Sequence, residues 1–394
     1  MTDRTRRVLL VVLDSAGIGA MPDADQYGDA GAATIQHTAE AVGGLSLPNL
    51  ERLGLACIAP ISGLRAVDRC EGFFGKLSER SAGKDTTTGH WEMAGLVLDE
   101  PFALFPDGFP PEIVEPFCRE TGRGVLGNKA ASGTAIIEEL GARHMETGDW
   151  ILYTSADSVF QLAAHEDVIP LESLYDACRK ARALLDSHRV GRVIARPFVG
   201  QPGRFERTYN RHDFSMQPTG ETVLVALERA GLPVVGVGKI KDIFAGVGVT
   251  QTVSTSGNSD GMQQTARLLD ECEQGLIFVN LVDFDMLYGH RRNPAGYAEA
   301  LQSFDRFLPQ LMSGLRERDL LMITADHGCD PTFASHTDHT REYVPLLVWS
   351  PAFEAAPAAE RDLGTRETFA DLAASVASAL GVDWRGAGKS FLPA

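Results

Sequence analysis

Paired cysteines, basic residues and long apolar runs are all scarce in this chain, and each scarcity closes off a class of protein. The six cysteines (Cys57, Cys70, Cys118, Cys178, Cys272 and Cys329) are scattered, with no CxxC spacing. That excludes a thiolate metal ribbon and a disulfide-stapled secreted scaffold, and fits free thiols in a reducing compartment. Lysine and arginine number 36 against 53 aspartates and glutamates, leaving a net charge of −17. Such a surface repels nucleic acid and anionic membrane, so neither is expected as a partner. Arg4, Arg6 and Arg7 precede an apolar run at residues 8–13 in the manner of a signal peptide, but the run stops at Asp14. It is too short for secretion, and no other stretch reaches membrane-spanning length. The expected location is the cytoplasm. A GxxxxGK[ST] loop, internal repeats and low-complexity tracts are also missing, so this is not a P-loop nucleotide site.

What is present is an ordinary globular composition, 44% apolar and 23% charged, in a chain of 394 residues. That length suits two domains, or one domain carrying a large insertion. Short continuous apolar runs recur, as in Val8-Leu9-Leu10-Val11-Val12-Leu13, Leu276-Ile277-Phe278-Val279, Leu320-Leu321-Met322-Ile323 and Val344-Pro345-Leu346-Leu347-Val348-Trp349. Runs of this kind suit strands buried on both faces, as in a parallel sheet covered by helices. Helical stretches are expected at 221–230, 262–272 and 367–380. Between residues 99 and 216 the texture changes: prolines cluster at Pro101, Pro106, Pro110, Pro111 and Pro116, and residues 121–127 are glycine-rich. Helical patterns at 133–140 and 171–187 then accompany strand-like 150–154 and 190–195. We read 99–216 as a smaller α/β unit inserted into a core made of 1–98 and 217–394, the alternative being one continuous domain.

Three of the apolar runs empty into carboxylates. One ends at Asp14, one at Asp283 and Asp285 with His290 following, and one at Asp326-His327. In a largely parallel sheet the C-terminal strand ends share one edge, so these groups converge despite their separation in sequence. The segment from Asp326 to His339 alone holds three of the ten histidines. Counting one of Asp283 and Asp285, and with His290 and His339, the set reaches six nitrogen and oxygen donors, suited to two borderline or hard divalent ions such as Mn²⁺, Zn²⁺ or Mg²⁺. Two ions about 3.5–4 Å apart clamp the attacking and leaving oxygens in phosphoryl transfer. Without cations, converging carboxylates would repel one another, and few basic residues adjoin them in sequence.

Upstream, Gly83-Lys84-Asp85-Thr86-Thr87-Thr88-Gly89-His90-Trp91 places hydroxyls just before a helical stretch at 89–96. A threonine there lies at a helix N-terminus, a natural phosphate site, or simply caps the helix. Within the insertion, Tyr153-Thr154-Ser155-Ala156-Asp157 and Arg196 close strands, and Arg204, Arg207, Arg211 and His212 follow. Arginines so placed either grip an anion bidentately or line a solvated face.

The segments Lys84 to Glu92, Asn280 to Arg292, Asp326 to Thr332 and Thr337 to Glu342 closely resemble the phosphopentomutase family, of the alkaline phosphatase superfamily. The likeness spans both ends of the chain. It implies an α/β, alkaline-phosphatase-like core with a mostly parallel sheet, interrupted by a cap domain that binds the sugar and keeps water away. It further implies interconversion of α-D-ribose 1-phosphate and D-ribose 5-phosphate, with deoxyribose analogues, using two Mn²⁺ ions and a sugar bisphosphate primer. Carried over by position, Asp285, His290 and His339 hold one metal, and Asp14, Asp326 and His327 the other. Thr86 matches the phosphorylated residue, a choice the sequence alone leaves open among three threonines. Ser155 and Asp157 resemble sugar contacts, and Arg196, Arg211 and Lys239 phosphate contacts. The family pattern is one residue shorter before Thr337, where this chain reads Ala334-Ser335-His336. His336 is accordingly set apart from the ligands, and Cys329 is read as packing. A metal-dependent phosphomonoesterase or another mutase of the superfamily is the rival reading. The nucleophile segment lacks the Asn-Ser of the phosphoglycerate type, and no Cys/Ser-x-Pro-x-Arg sulfatase segment occurs. A metal-stabilised sugar-phosphate binding protein is the non-enzymatic alternative.

Overall fold

The structure, a computed structural model, describes residues 7–155 and 158–392. The chain divides into two compact units, Met1–Glu100 with Pro218–Ala394, and Pro101–Gln217.

The first unit is built on an eight-stranded sheet in the order Gln251–Val253, Val234–Val237, Gly275–Leu281, Arg7–Leu13, Asp319–Thr324, Val344–Trp349, Phe73–Leu77, Asp362–Arg366. The first five run parallel; Val344–Trp349 is antiparallel to both neighbours, and the last pair is parallel again. Arg7–Leu13, Gly275–Leu281 and Asp319–Thr324 are buried at every position, because helices cover both faces and no alternation with polar residues is needed. The 20-residue helix Pro294–Ser313 shows how the sequence sets such a cover. Asn293 caps it by accepting the Gly296 N–H at 2.9 Å, and proline opens the first turn. Tyr297, Leu301, Phe304, Leu308 and Leu311 then recur at helical spacing and are buried.

The second unit has its own sheet, ordered Val125–Ala130, Trp150–Thr154, Val159–His165, Arg192–Gln201, Arg204–Arg207, with His212–Ser215 also paired to Arg192–Gln201. Alternation along Trp150–Thr154 divides two cores. Trp150 and Leu152 pack with Phe117 and Phe160, while Ile151 and Tyr153 pack with Ile136 and Phe198. Helices Pro111–Thr121, Gly133–Thr147 and Leu171–Leu185 complete the unit. Among the described residues no helix is long and apolar enough to cross a membrane.

Candidate active site

Sheet register places the site before any side chain is considered. Leu13 is level with Leu281, and Val12 with Thr324. Asp14 and Asp326 therefore leave neighbouring strands side by side at the C-terminal edge. Asp285 is carried just beyond its strand by the π-helix Phe284–Gly289, a wider turn than an α-helix and a frequent feature of functional sites. Asp283, the other carboxylate of that strand end, is spent on structure: it accepts the Asn258 N–H at 2.7 Å and donates its own N–H to the Asn258 side chain.

Asp14, Asp326 and His327 each offer a donor atom within 4.8 Å of the others, and so do Asp285, His327 and His339. A third group, Asp285, His290 and Cys329, meets the same limit. The six side chains expected as ligands thus form one continuous cluster, but the expected trio Asp285, His290 and His339 is not set apart from the rest. His339 lies with its ring centroid 4.0 Å from that of His327 and 4.8 Å from that of His290, so it sits between the two halves.

The chemistry of this donor set fits a divalent cation. Asp14 Oδ1, Asp285 Oδ1 and Asp326 Oδ2 are all buried without a hydrogen bond. Three orphaned carboxylate oxygens among imidazoles are a costly arrangement unless a cation satisfies them. The imidazoles are turned for the purpose. His327 Nδ1–H donates to the Gly328 carbonyl (2.9 Å) and His290 Nδ1–H to the Thr337 carbonyl (2.6 Å). Because a carbonyl only accepts, Nδ1 is spent in each ring and Nε2 is the nitrogen turned toward the carboxylates. That atom lies 3.5 Å from Asp14 in His327 and 3.3 Å from Asp285 in His290. Asn280 Nδ2 donates to Asp14 Oδ2 at 2.9 Å, and the Ser15 N–H to Asp326 Oδ1 at 2.9 Å. Ser15 adopts a left-handed φ of 72° to do so.

Electrostatics follow from the crowding. Burial, then the carboxylates of Asp326 and Asp285, push the Asp14 carboxyl well above its ordinary range. Burial also opposes ionisation of Asp326, but His327 and His90 hold it well below that range. His327 is correspondingly raised by Asp326 against the effect of its burial, whereas burial and the His327 charge push His339 down to about 3. His339 is therefore neutral and free to donate a lone pair near neutral pH.

The threonine cluster resolves into distinct roles. The helix spans Thr86–Met93 rather than starting at Gly89, and Asp85, not a threonine, is its cap, accepting from the N–H groups of Thr87 and Thr88. The Thr88 hydroxyl also donates to Asp85, at 2.5 Å. Thr86 Oγ1 instead lies 3.1 Å from His327 Nε2, inside the cluster. Gly89 lets the helix approach this closely, since a β-carbon there would overlap the Asp326 carbonyl oxygen. His90 Nδ1–H donates to the Thr86 carbonyl at 2.9 Å while its Nε2 faces Asn280 at 3.1 Å.

Lys239 follows the Val234–Val237 strand and offsets part of the rise at Asp14, so its charge reaches the cluster. The remaining expected contacts belong to the second unit. Arg196 donates to Gln161 at 2.9 Å, and Arg211 forms a two-bond pair with Asp213. Ser155 follows the Trp150–Thr154 strand, while Asp157 lies outside the described residues. The charges of Arg196, Arg207 and Arg211 all act on Tyr153, whose buried hydroxyl has no hydrogen-bond partner among the described residues. A β-carbon on Gly133, which opens the uncapped helix Gly133–Thr147, would meet that hydroxyl.

Reading the sequence did not single out Tyr153, His90 or Asn280. Tyr153 and Asn280 occupy inward positions at or next to strand ends, which is the one signal that could have found them. His336 points away from the metal cluster: its Nε2 is 2.8 Å from Asp29, which also holds Lys84 Nζ at 3.0 Å and the Arg341 N–H at 2.8 Å.

Residues 6–384 match the model of the metalloenzyme superfamily. The chain is 60% identical to a phosphopentomutase of Anaeromyxobacter sp. (strain K) over 388 residues and 59% identical to that of Carboxydothermus hydrogenoformans over 387, covering 98% of both chains in each case. Among solved structures it is similar to the PH0037 protein from Pyrococcus horikoshii, with a TM-score of 0.52 and 16% identity over 98% of this chain and 100% of that one. That last likeness concerns the fold.

Proposed function

The chain belongs to the phosphopentomutase family of metal-dependent isomerases, and from that premise we propose that it interconverts α-D-ribose 1-phosphate and D-ribose 5-phosphate, and their deoxyribose analogues, through a phosphate carried on Thr86. The observation that carries this reading is the Thr86 hydroxyl, 3.1 Å from His327 Nε2 at a helix N-terminus.

In this reading Asp285, His290 and His339 hold one Mn²⁺, and Asp14, Asp326 and His327 a second. The ions, when bound, supply positive charge to the phosphoryl oxygens and to the threonine alkoxide. The residues of the chain do the rest. The dipole of the Thr86–Met93 helix favours negative charge at Thr86, its first residue, while the Thr87 and Thr88 N–H groups stay with the Asp85 carboxylate. Phospho-Thr86 gives its phosphoryl group to the free hydroxyl of a bound pentose phosphate: the Thr86 O–P bond breaks, a sugar O–P bond forms, and the hydroxyl proton ends on Thr86. The resulting bisphosphate turns round and returns its other phosphate to the same oxygen. A sugar bisphosphate loads Thr86 for the first turnover. Residues 99–216 serve as the substrate domain: Ser155 and Asp157 meet the sugar, and Arg196 and Arg211 meet phosphate; in the first unit Lys239 is a phosphate contact. The field of arginines around the Tyr153 hydroxyl supports an anionic ligand there. Six free cysteines and the lack of a membrane-crossing helix among the described residues support a cytoplasmic enzyme.

The test is turnover of ribose 1-phosphate with Mn²⁺ and a sugar-bisphosphate primer, following ribose 5-phosphate and free phosphate together, with mass spectrometry of the Thr86 peptide. Ribose 5-phosphate with little free phosphate, and phosphate on Thr86, is the expected result. Free phosphate as the main product would replace the mutase by a phosphatase. In Thr86→Ala turnover should vanish; turnover that survives this change would remove Thr86 from the mechanism.

A further inference from the structure

A buried carboxylate outside the metal cluster joins the two segments on which the mechanism depends. Asp29 is 0% exposed and follows Gly28, whose left-handed φ of 77° ends a short helical turn. Lys84 Nζ donates to both of its oxygens, at 3.1 and 3.0 Å, His336 Nε2 to Oδ1 at 2.8 Å and the Arg341 N–H to Oδ2 at 2.8 Å. These bonds fill the lone-pair sites of the carboxylate. Lys84 stands two residues before Thr86, His336 three before His339 and Arg341 two after it. One side chain thus grips the threonine segment and both flanks of a candidate metal ligand.

The His336 ring carries the grip onward. The Asp338 N–H donates to its Nδ1 at 3.2 Å, so the proton of the neutral ring is on Nε2, facing Asp29. Asp338 Oδ1 in turn accepts the His339 N–H at 2.8 Å. A second clasp leaves the same loop, where the Arg341 guanidinium donates to the Gly83 carbonyl at 2.7 Å.

We propose that Asp29 is a positioning residue of the reaction: by holding Lys84, His336 and the Arg341 N–H together, it fixes the Thr86 hydroxyl against the His339 ring. The proposal rests on the reading that Thr86 carries phosphate beside an ion held in part by His339. Its physical basis is alignment, since displacing either segment by a fraction of a bond length misplaces the reacting oxygens. Asparagine at this position keeps the shape but turns an NH₂ group toward other donors, which opens one side of the clasp.

The experiment compares Asp29→Asn with the unaltered chain by hydrogen exchange of the metal-free protein and by turnover at saturating Mn²⁺, with thermal melting to verify folding. Faster exchange is expected in residues 83–89 and 334–342 together. At the same time kcat should fall by about 10-fold with KM unchanged, the lower end for groups behind metal ligands, because the Arg341 clasp remains. Faster exchange in one segment only, or in neither, overturns the proposal, and so does an unchanged kcat. An unaltered chain that binds no Mn²⁺ and turns over no ribose 1-phosphate overturns the mutase reading instead, a failure that the metal-free exchange data keep apart from failure of the clasp. Should Asp29→Asn fail to fold, His336→Ala replaces it, since Lys84 and the Arg341 N–H then stay on Asp29. Faster exchange over 334–342 with a lowered Mn²⁺ affinity supports the clasp, and parent-like values of either overturn it.

Discussion

The three central strands of the first unit end very differently at their two edges. At the N-terminal edge Arg7, 1% exposed, sets its guanidinium on the Asp319 carboxylate and also donates to the carbonyls of Leu269, Cys272 and Gly314. Charge is balanced there within the chain. At the C-terminal edge three carboxylates converge with imidazoles as their near neighbours: His327 Nε2 is 3.5 Å from Asp14 and 3.3 Å from Asp326, and His339 Nε2 is 3.6 Å from Asp285. The same strands therefore carry a permanently charged guanidinium pair at one end and carboxylates faced by titratable imidazoles at the other. Burial is equal at the two ends, so burial does not distinguish structure from function. What differs is whether the counter-charge is fixed or can be exchanged for a cation.

The contrast can be broken at either edge. The largest effect is expected from Asp326→Asn, which should lower turnover by more than about 10³-fold, at or beyond the upper end for a single electrostatic group in a preorganised site. The metal-free variant should also melt lower than the parent, since it removes the carboxylate that pairs with His327 and His90. Calorimetry of the metal-free protein beside a turnover assay checks both halves. Arg7→Met attacks the other edge and should destabilise by about 3–5 kcal/mol by leaving Asp319 buried without its partner. Turnover per folded molecule should not change, as denaturant melts combined with active-site titration would show.

Smaller effects sharpen the comparison. Asn280→Ala removes the donor to Asp14 and should weaken metal binding by about 10–100-fold in equilibrium dialysis. The smallest signal is in pH dependence. His327 is held protonated well above its ordinary value of 6.5 in the metal-free fold. A raised histidine contributes stability that is fully present below 6.5 and is lost as pH rises through its folded value. Between 6.5 and that folded value, metal-free protein should lose stability as pH increases. Metal binding needs the Nε2 lone pair and releases the proton, so loaded protein should show a flatter profile and its apparent affinity should rise over the same range. Melting curves across pH, with and without Mn²⁺, decide this.

The α/β class and the central strands were legible because strands buried on both faces read as unbroken apolar runs. Phe73-Phe74-Gly75-Lys76-Leu77 and Asp362-Leu363-Gly364-Thr365-Arg366 carry glycine and charge where they flank the sheet, so they gave no such signal. The helix at the threonines begins three residues before the expected start, because an aspartate cap admits Thr86, Thr87 and Thr88 into the first turn. At the candidate site, strand-end carboxylates and histidines stood out by residue type. The roles of the three threonines did not, since they depend on which hydroxyl Asp85 engages.

The contact of Gly89 with the Asp326 carbonyl bears on how such a site tolerates change. Main chain rests on main chain there, so no rotamer or neighbouring side chain sets the gap between the threonine helix and the strand edge. Substitutions that reshape the hydrophobic layers can redistribute strain elsewhere while this spacing stays fixed. Lengthening the glycine by a single methyl would act on the spacing directly. The segment is thus a mechanical datum: surrounding parts can drift in composition as long as the one residue without a side chain keeps its place.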